Sequence, residues 1–351
     1  MDYKERFKKT IAHEETDRVP MDLWLDSNDP KIMENLIEYV GVKTYDELLD
    51  YLDIDFYRMK TPVAKELKNS RDRDLMFFIP NTENKGIITH SSSFYRPLIN
   101  AEKPQDIETY NWPSPDIFDY AGLVPMCREH KNRVLWTQAG TWSPIFCKLC
   151  ELFGMEKVLV DMIINPSLIE AAVDRIFDFY YNAFKNTLEA GKGWLDVFCF
   201  GDDYASQDDL IFDIKYWRKF FKKPFYKLCE LIKSYDVLIA FHSCGAITSL
   251  IPEFIEAGVD ILFPIQPKAK GMEPQALKKE FGRYLTFYGG IDVQQLLPFG
   301  TEQQVREGVR SVVKVLGEGG GYIMASSHTI LRDIPIPNIL AMYDEAKKLA
   351  V

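Results

Sequence analysis

The stretch Val237-Leu-Ile-Ala-Phe-His242 is a short apolar run that ends in a histidine. A segment with helical periodicity follows from 247 to 257, and Gly258 stands where a glycine commonly ends a helix. A second apolar run, Asp260-Ile-Leu-Phe-Pro264, comes next. Apolar runs of this length on either side of a helix are typical of parallel strands that are buried on both faces. The stretch therefore predicts a strand–helix–strand unit.

The same alternation extends in both directions along the chain. Further strands are predicted at 18–24, 53–58, 133–138, 194–200, 284–288 and 321–325. Eight strands, each followed by a helix, are typical of an α/β protein with a (β/α)8 TIM barrel. A doubly wound open sheet is the competing fold, but it usually carries a glycine-rich phosphate loop after its first strand. Here Asp26-Ser-Asn-Asp-Pro30 follows the first predicted strand and contains no glycine.

We expect residues 1–351 to form a single barrel domain, with a β-rich insertion at about 74–112 after the second βα unit. Two runs in it, 75–79 and 86–90, predict an antiparallel hairpin. We expect this insertion to lie over or beside the barrel mouth. A hairpin that closes the other end of the barrel, or a subunit contact, is the alternative.

Composition excludes several classes of protein. The chain has 351 residues, of which 46% are hydrophobic, so it can bury a large core. Its 42 basic and 52 acidic residues give a net charge of −10, and without a basic run this argues against nucleic acid as a partner. No apolar run approaches the roughly 18 residues that cross a bilayer, and the charged start lacks the apolar core of a signal peptide. We expect a soluble, cytoplasmic protein.

Polar and aromatic side chains follow most of the predicted strands. In a barrel these strand ends share one face, and that face holds the active site. The residues expected there to bind substrate are Asp22, Trp24, Gln138, Trp142, Tyr204, Gln207, Gln266 and Asp292. For the aromatic members, stacking on a substrate ring and packing of the barrel rim both remain open.

Two of the five histidines, His242 and His328, fall at strand ends. Residues two apart in an extended segment project to the same side, so His242 and Cys244 can ligate one ion. This mixture of nitrogen and sulfur donors suits zinc, and His328 would supply a third ligand across the mouth. The alternative for His242 and Cys244 is a buried structural pair, since free cysteine often serves as a small core residue.

Asp202 and Asp203 follow the predicted strand 194–200. An aspartate at such a position commonly caps a turn or helix, and it can also act as a metal ligand or general base. We expect the pair to divide these roles and take both as candidate catalytic residues. Asp203 or Asp292 would be the fourth zinc ligand or a group that supports the ligands.

Several segments together resemble the uroporphyrinogen decarboxylase superfamily, over nearly the whole chain and least clearly at 74–112. They are Arg18-Val-Pro20, Gly201-Asp-Asp-Tyr-Ala-Ser-Gln207, His242-Ser-Cys-Gly245, Gly258-Val-Asp-Ile-Leu-Phe-Pro-Ile-Gln266, Gly289-Gly-Ile-Asp292 and Gly320-Gly-Tyr-Ile-Met-Ala-Ser-Ser-His328. The resemblance implies a (β/α)8 barrel, in agreement with the strand count.

Two branches of that superfamily are relevant. True uroporphyrinogen decarboxylases carry Arg-Gln-Ala-Gly-Arg-Tyr after the first strand, and its arginines hold the substrate carboxylates. The matching region here, Asp22-Leu-Trp-Leu-Asp-Ser-Asn28, has no arginine and would repel a tetra-acidic porphyrinogen. The cobalamin-dependent methyltransferases hold zinc with a His-x-Cys pair and a later cysteine. His242 and Cys244 match the pair, but no cysteine follows Cys244, so His328 would take the last place.

Two imidazoles and one thiolate make zinc a stronger Lewis acid than a thiolate-rich site does, which favours cleavage of a methyl–oxygen bond. We therefore expect an enzyme that moves a methyl group from a small methylated substrate, with aromatic methyl ethers favoured, to the cobalt of a corrinoid (cobalamin). The chain has no Asp-x-His-x-x-Gly corrinoid motif, so a separate corrinoid protein is the expected partner. The alternatives are a decarboxylase of a small carboxylic acid, a methylcobalamin:thiol methyltransferase and a non-enzymatic ligand-binding barrel. A homo-oligomer is also open.

Overall fold

The computed structural model describes residues 1–27, 29–64, 96–140 and 142–351. Its central sheet has seven parallel strands, and each strand pairs with the next one along the chain. This is the arrangement of an α/β, TIM-like barrel. The strands are β1 (Phe56–Lys60), β2 (Val134–Gln138), β3 (Val197–Gly201), β4 (Leu238–His242), β5 (Ile261–Ile265), β6 (Thr286–Ile291) and β7 (Tyr322–Ser326).

Helices surround the sheet and connect its strands. Two long helices are Pro166–Ala190 and Glu302–Leu316, and the Thr301 side chain caps the second of them. A π-helical turn, Trp217–Phe221, leads into the helix that begins at Lys222. The α-helices of the described ranges are α1 (Tyr3–Ile11), α2 (Pro30–Val40), α3 (Tyr45–Leu52), α4 (Pro104–Glu108), α5 (Leu123–Glu129), α6 (Phe146–Phe153), α7 (Met155–Ile164), α8 (Pro166–Ala190), α9 (Ile214–Tyr216), α10 (Lys222–Lys233), α11 (Ile251–Glu256), α12 (Pro274–Phe281), α13 (Leu296–Phe299), α14 (Glu302–Leu316) and α15 (Ile336–Ala346).

The first predicted strand, 18–24, is not a regular strand. The segment is joined to β7 by one bridge, between Met21 and Met324, with two hydrogen bonds: the Met324 amide donates to the Pro20 carbonyl at 2.8 Å, and the Asp22 amide donates to the Met324 carbonyl at 3.1 Å. On its other side, the Asp55 amide donates to the Met21 carbonyl at 2.9 Å. Because Pro20 has no amide hydrogen, a continuous ladder cannot form through it.

A buried ion cluster holds this segment against β1. Asp55 is fully buried. One of its carboxylate oxygens accepts from Arg6 at 2.6 Å, and the other accepts from Arg18 at 2.7 Å and from the Met21 amide at 2.8 Å. The position of residues 18–24 between β7 and β1 therefore depends on the Asp55 carboxylate, which Arg6 and Arg18 share.

Side chains along the strands alternate between two cores. The smaller core contains residues from all seven strands in contact with one another, including Phe56, Trp136, Phe263 and Tyr288, so it fills the enclosed side of the sheet. The larger core lies between the sheet and the helices. The strand ends that follow the smaller core therefore converge on a common mouth.

The predicted hairpin at 75–79 and 86–90 lies outside the described residues. The described part of the predicted insertion, 96–112, contains the short helix α4. Among the described residues, no helix is both long and apolar enough to cross a membrane.

Candidate metal centre

The ends of β3 and β4 bring three potential ligands together. His242 Nε2 lies 3.4 Å from Cys244 Sγ and 3.6 Å from an oxygen of Asp203. One ligand atom from each residue lies within 4.8 Å of the other two. The group combines nitrogen, sulfur and carboxylate oxygen donors, which is a suitable donor set for zinc.

The loops after β3 and β4 are held together by one hydrogen bond to the Asp203 carboxylate and one between backbone groups. The Cys244 amide donates to Asp203 at 2.8 Å, and the Ala246 amide donates to the Ser206 carbonyl at 2.8 Å. Gly245 has a φ of 86°, and a Cβ atom there would come within 2.3 Å of the Ser206 carbonyl oxygen. Only glycine fits this position, so Gly245 allows the close approach of Asp203 and Cys244.

Two glutamines support the cysteine. The Gln266 side-chain amide donates to Cys244 Sγ at 3.4 Å, and its oxygen accepts from the Gly245 amide at 2.9 Å. Gln207 donates to the same Gln266 oxygen at 3.1 Å. These contacts place both glutamines, which were expected to bind substrate, in a chain that orients the thiol.

The electrostatics of the group suit a cation. Burial lowers the pKa of His242 to about 4, against the opposing effect of the Asp203 charge. The imidazole is therefore neutral at neutral pH and has a nitrogen lone pair available for a metal. Burial, together with the charge of Asp203, raises the pKa of Cys244 well above its usual value. A bound cation would favour the thiolate, which is the form that ligates metals.

His328, expected as a zinc ligand, lies near this group but is not one of its three members. Its ring centroid lies 6.3 Å from that of His242, and its Nδ1 lies 2.9 Å from the hydroxyl of Thr329. In the described part of the chain, the group around His242 contains Asp203 and not His328. The reason is topological: Asp203 follows β3, the direct neighbour of β4, whereas His328 follows β7. Asp292 also lies apart, where it accepts from the Gln294 amide at 2.8 Å.

Asp202 has different surroundings from Asp203. Its buried carboxylate accepts from Ser143 and from the amides of Phe146 and Cys147, at 2.9 and 2.8 Å, at the beginning of α6. It therefore stabilises the N-terminus of that helix. Tyr204 donates to Asp202 at 3.3 Å and is 1% exposed, in the core between the sheet and the helices.

Aromatic rings enclose the imidazole of His242. The rings of Trp142, Phe263 and Trp24 lie 4.9, 5.1 and 5.6 Å from it, centroid to centroid. Trp24 also faces His328 at 5.2 Å. Of the aromatic residues expected at the mouth, Trp24 and Trp142 thus border the ligand group directly. Their rings shield it from water.

Asp22 is engaged inside the barrel. It pairs with Arg58 at 2.7 Å and accepts from the Tyr288 hydroxyl at 2.9 Å. The Arg58 guanidinium also lies 4.7 Å from the Trp136 ring. The sequence interpretation overlooked Arg58 and Lys60, although the alternation in Phe56-Tyr-Arg-Met-Lys60 places both on one face of the strand. Gln138, another expected binding residue, pairs with Lys60 in the sheet.

A cavity of about 300 Å³ adjoins the ligand group. Gln266 and His328 are part of its wall, together with Asp292 and Ser327. Because Gln266 also contacts Cys244, the cavity and the ligand group share a wall. This volume is at the lower end of the range for small-molecule pockets.

Comparisons with known proteins agree with this architecture. The family model of uroporphyrinogen decarboxylase (URO-D) matches residues 96–349. A search of curated proteins gave no match. Among solved structures, a methyltransferase from Methanosarcina mazei is similar, with a TM-score of 0.69 and 18% identity over 99% of this chain and 98% of that chain. Xylanase 10B from Thermotoga petrophila RKU-1 has a TM-score of only 0.43, at 11% identity over 87% of this chain and 98% of that chain.

The likeness to the Methanosarcina mazei protein supports the fold, since it extends over both whole chains. The family match rests on the sequence itself and covers β2 to β7 with the strand ends described above. This chain therefore belongs to the uroporphyrinogen decarboxylase family.

Proposed function

We propose that this protein is a zinc-dependent methyltransferase that moves a methyl group from a small methylated substrate, an aromatic methyl ether, to the cobalt of a corrinoid on a separate protein. The observation that carries the proposal is the group of Asp203, His242 and Cys244 at the barrel mouth. Family membership supports an enzyme, and the similar fold of the Methanosarcina mazei methyltransferase is consistent with this reaction class.

The residues present fit a zinc ion. His242 offers a neutral imidazole, Cys244 a sulfur and Asp203 a carboxylate oxygen, all within 4.8 Å of one another. Three protein ligands leave one position of a tetrahedral site for substrate, as in catalytic zinc sites. When bound, zinc supplies Lewis-acid activation of the substrate oxygen. One imidazole, one thiolate and one carboxylate keep the low sulfur content expected for methyl–oxygen cleavage.

In the proposed reaction the methyl–oxygen bond breaks, the methyl group bonds to cobalt(I), and the substrate oxygen keeps the bonding electrons and then takes a proton. Gln266 holds the Cys244 sulfur in place through its 3.4 Å contact. Trp24 and Trp142 exclude water beside His242 and offer ring faces to an aromatic substrate. The carboxylate of Asp203, which belongs to the ligand group, would exchange a proton with the departing oxygen.

Absorption spectroscopy of the cobalt tests the proposal. The protein is mixed with reduced cobalamin or a reduced corrinoid protein and with methoxyaromatics, methylamines or methanol. We expect cobalt methylation with methoxyaromatics, and its loss in Cys244→Ala but not in Cys127→Ala, a matched buried cysteine of α5 outside the ligand group. Absence of methylation with all three substrate classes would contradict the proposal. Release of carbon dioxide from small carboxylic acids would instead favour a decarboxylase.

A further inference from the structure

Two cations lie next to each other on the enclosed face of β1. Arg58 projects into the barrel interior, where its guanidinium lies over the rings of Trp136 and Tyr288 at 4.7 and 5.5 Å. Lys60 is two residues further along the same strand and projects to the same side, at the end that opens into the mouth.

Lys60 has no ion pair among the residues that the structure describes. Its side-chain nitrogen makes one polar contact there, with the Ser27 hydroxyl at 3.5 Å. The residue is exposed to solvent. Nevertheless, burial of the ammonium by surrounding protein lowers its pKa, an effect that Arg58 increases and that Cys199 and Asp26 oppose. A group that water reaches while protein surrounds it lies in a recess.

Arg58 has hydrogen-bonding capacity left over on the same face. Its Nε donates to Asp22 at 2.7 Å and its Nη2 donates to the Tyr288 hydroxyl at 2.8 Å. Its side chain is 21% exposed, and no described residue accepts a hydrogen bond from Nη1. Asp22 therefore balances the charge of Arg58, while no carboxylate of the described ranges is in direct contact with the ammonium of Lys60.

Trp24 contacts both Arg58 and the ligand residue His242. The Arg58 guanidinium lies 5.3 Å from the Trp24 ring, and the His242 ring lies 5.6 Å from it. The Arg58 guanidinium and the His242 ring are therefore at most about 11 Å apart. A substrate built on a single ring can reach both.

We propose that Lys60, with Arg58 beside it, binds a carboxylate group of the substrate. This inference rests on the proposed function and narrows its substrate to methoxylated aromatic acids. Charge-assisted hydrogen bonds to an ammonium or guanidinium are among the strongest that a carboxylate forms. A cationic methylamine would be repelled by the same pair, so the recess also selects against that class of methyl donor.

Calorimetric binding without any corrinoid tests the inference separately from methyl transfer. The ligands are 2-, 3- and 4-methoxybenzoate, each compared with its uncharged amide. The proteins are the wild type, Lys60→Met, Lys60→Arg and Lys192→Met, which removes an exposed lysine that follows α8, at the start of the connection to β3. In the wild type we expect at least one acid to bind about tenfold more tightly than its amide.

We expect Lys60→Met to lose that preference and Lys60→Arg and Lys192→Met to keep it. The inference would be overturned if the wild type bound no acid more tightly than its amide. It would also be overturned if Lys60→Met kept the full preference for the acid. A preference that disappears on metal chelation but survives in Lys60→Met would place the carboxylate on the metal and would also overturn it. If the preference depends on Lys60 while no methoxyaromatic methylates cobalt, the proposed function fails and the carboxylate site stands.

Discussion

Gly201 lies opposite His242 in the parallel pairing of β3 with β4, and a Cβ atom on Gly201 would come within 2.4 Å of the His242 Cβ. The two strands can approach this closely because position 201 has no side chain. The position of the imidazole relative to Asp203 therefore depends on the absence of a side chain at position 201.

The variant Gly201→Ala should displace His242. We expect a lower zinc content and a loss of about 1–3 kcal/mol in the free energy of unfolding, because the added methyl group overpacks the space between two strands. Metal analysis and urea denaturation measure the two effects. Gly41→Ala is the control, since nothing lies within 4 Å of its added Cβ and only its φ of 77° is strained. Full zinc content in Gly201→Ala would contradict the dependence of the His242 position on Gly201.

Zinc content should follow the observed ligand group. We expect the purified wild type to hold about one zinc ion per chain and Cys244→Ala to lose most of it, because the thiolate is a principal ligand. His328→Ala should keep the zinc, since His328 Nδ1 contacts Thr329 and its ring centroid is 6.3 Å from that of His242. Retention of zinc by Cys244→Ala, or its loss from His328→Ala, would show that the ligands are wrongly assigned.

Substitution of the two adjacent aspartates should have different effects, one on zinc binding and the other on the free energy of unfolding. Asp203→Asn should weaken zinc binding by more than about tenfold, with stability close to that of the wild type. Asp202→Asn should lower the free energy of unfolding by about 1–3 kcal/mol, because it weakens buried hydrogen bonds at the start of α6. Competition with a chelating dye and urea denaturation give the two readings. Equal changes of zinc affinity and of unfolding free energy in the two variants would argue against separate roles for Asp202 and Asp203.

Asp55→Asn should be strongly destabilising. The substitution leaves Arg6 and Arg18 buried without the anion that both now contact, at a cost of about 3–5 kcal/mol. Urea denaturation measures the loss. Glu170→Gln serves as the comparison, because Glu170 and Lys219 are 54% and 45% exposed. Such a surface pair contributes at most about 1 kcal/mol, so equal losses in the two variants would be incompatible with the proposed role of Asp55.

Lowering the pH should reduce the free energy of unfolding, in part because Glu253 becomes protonated. Burial opposes its charged form, but hydrogen bonds from Lys222 and Arg218 outweigh that effect and lower the pKa of Glu253. A lowered pKa contributes stability above the unfolded-state pKa and loses it as the pH falls. Glu253→Gln should therefore be less stable than the wild type by about 1 kcal/mol at neutral pH. The difference should shrink below about pH 4, and a constant difference across the titration would contradict the assignment.

The strands β2 to β7 and the closeness of His242 to Cys244 could be predicted from the sequence alone. Short apolar runs between helices indicate strands because burial on both faces requires apolar residues throughout. His242 and Cys244 are two residues apart, so local backbone geometry is sufficient to bring imidazole and sulfur within 3.4 Å. The sequence also predicted that Asp202 and Asp203 would have different roles, because an aspartate after a strand can cap a helix or face the site.

Only the tertiary structure decided which distant residues meet. It placed Asp203 rather than His328 beside His242, because the loops after β3 and β4 pack directly against each other through Gly245. It also paired Asp22 with Arg58, which are 36 residues apart in the chain. Local patterns determine which face of a strand a side chain occupies. Distances between strands depend on the curvature and register of the whole sheet, which no single segment of the sequence determines.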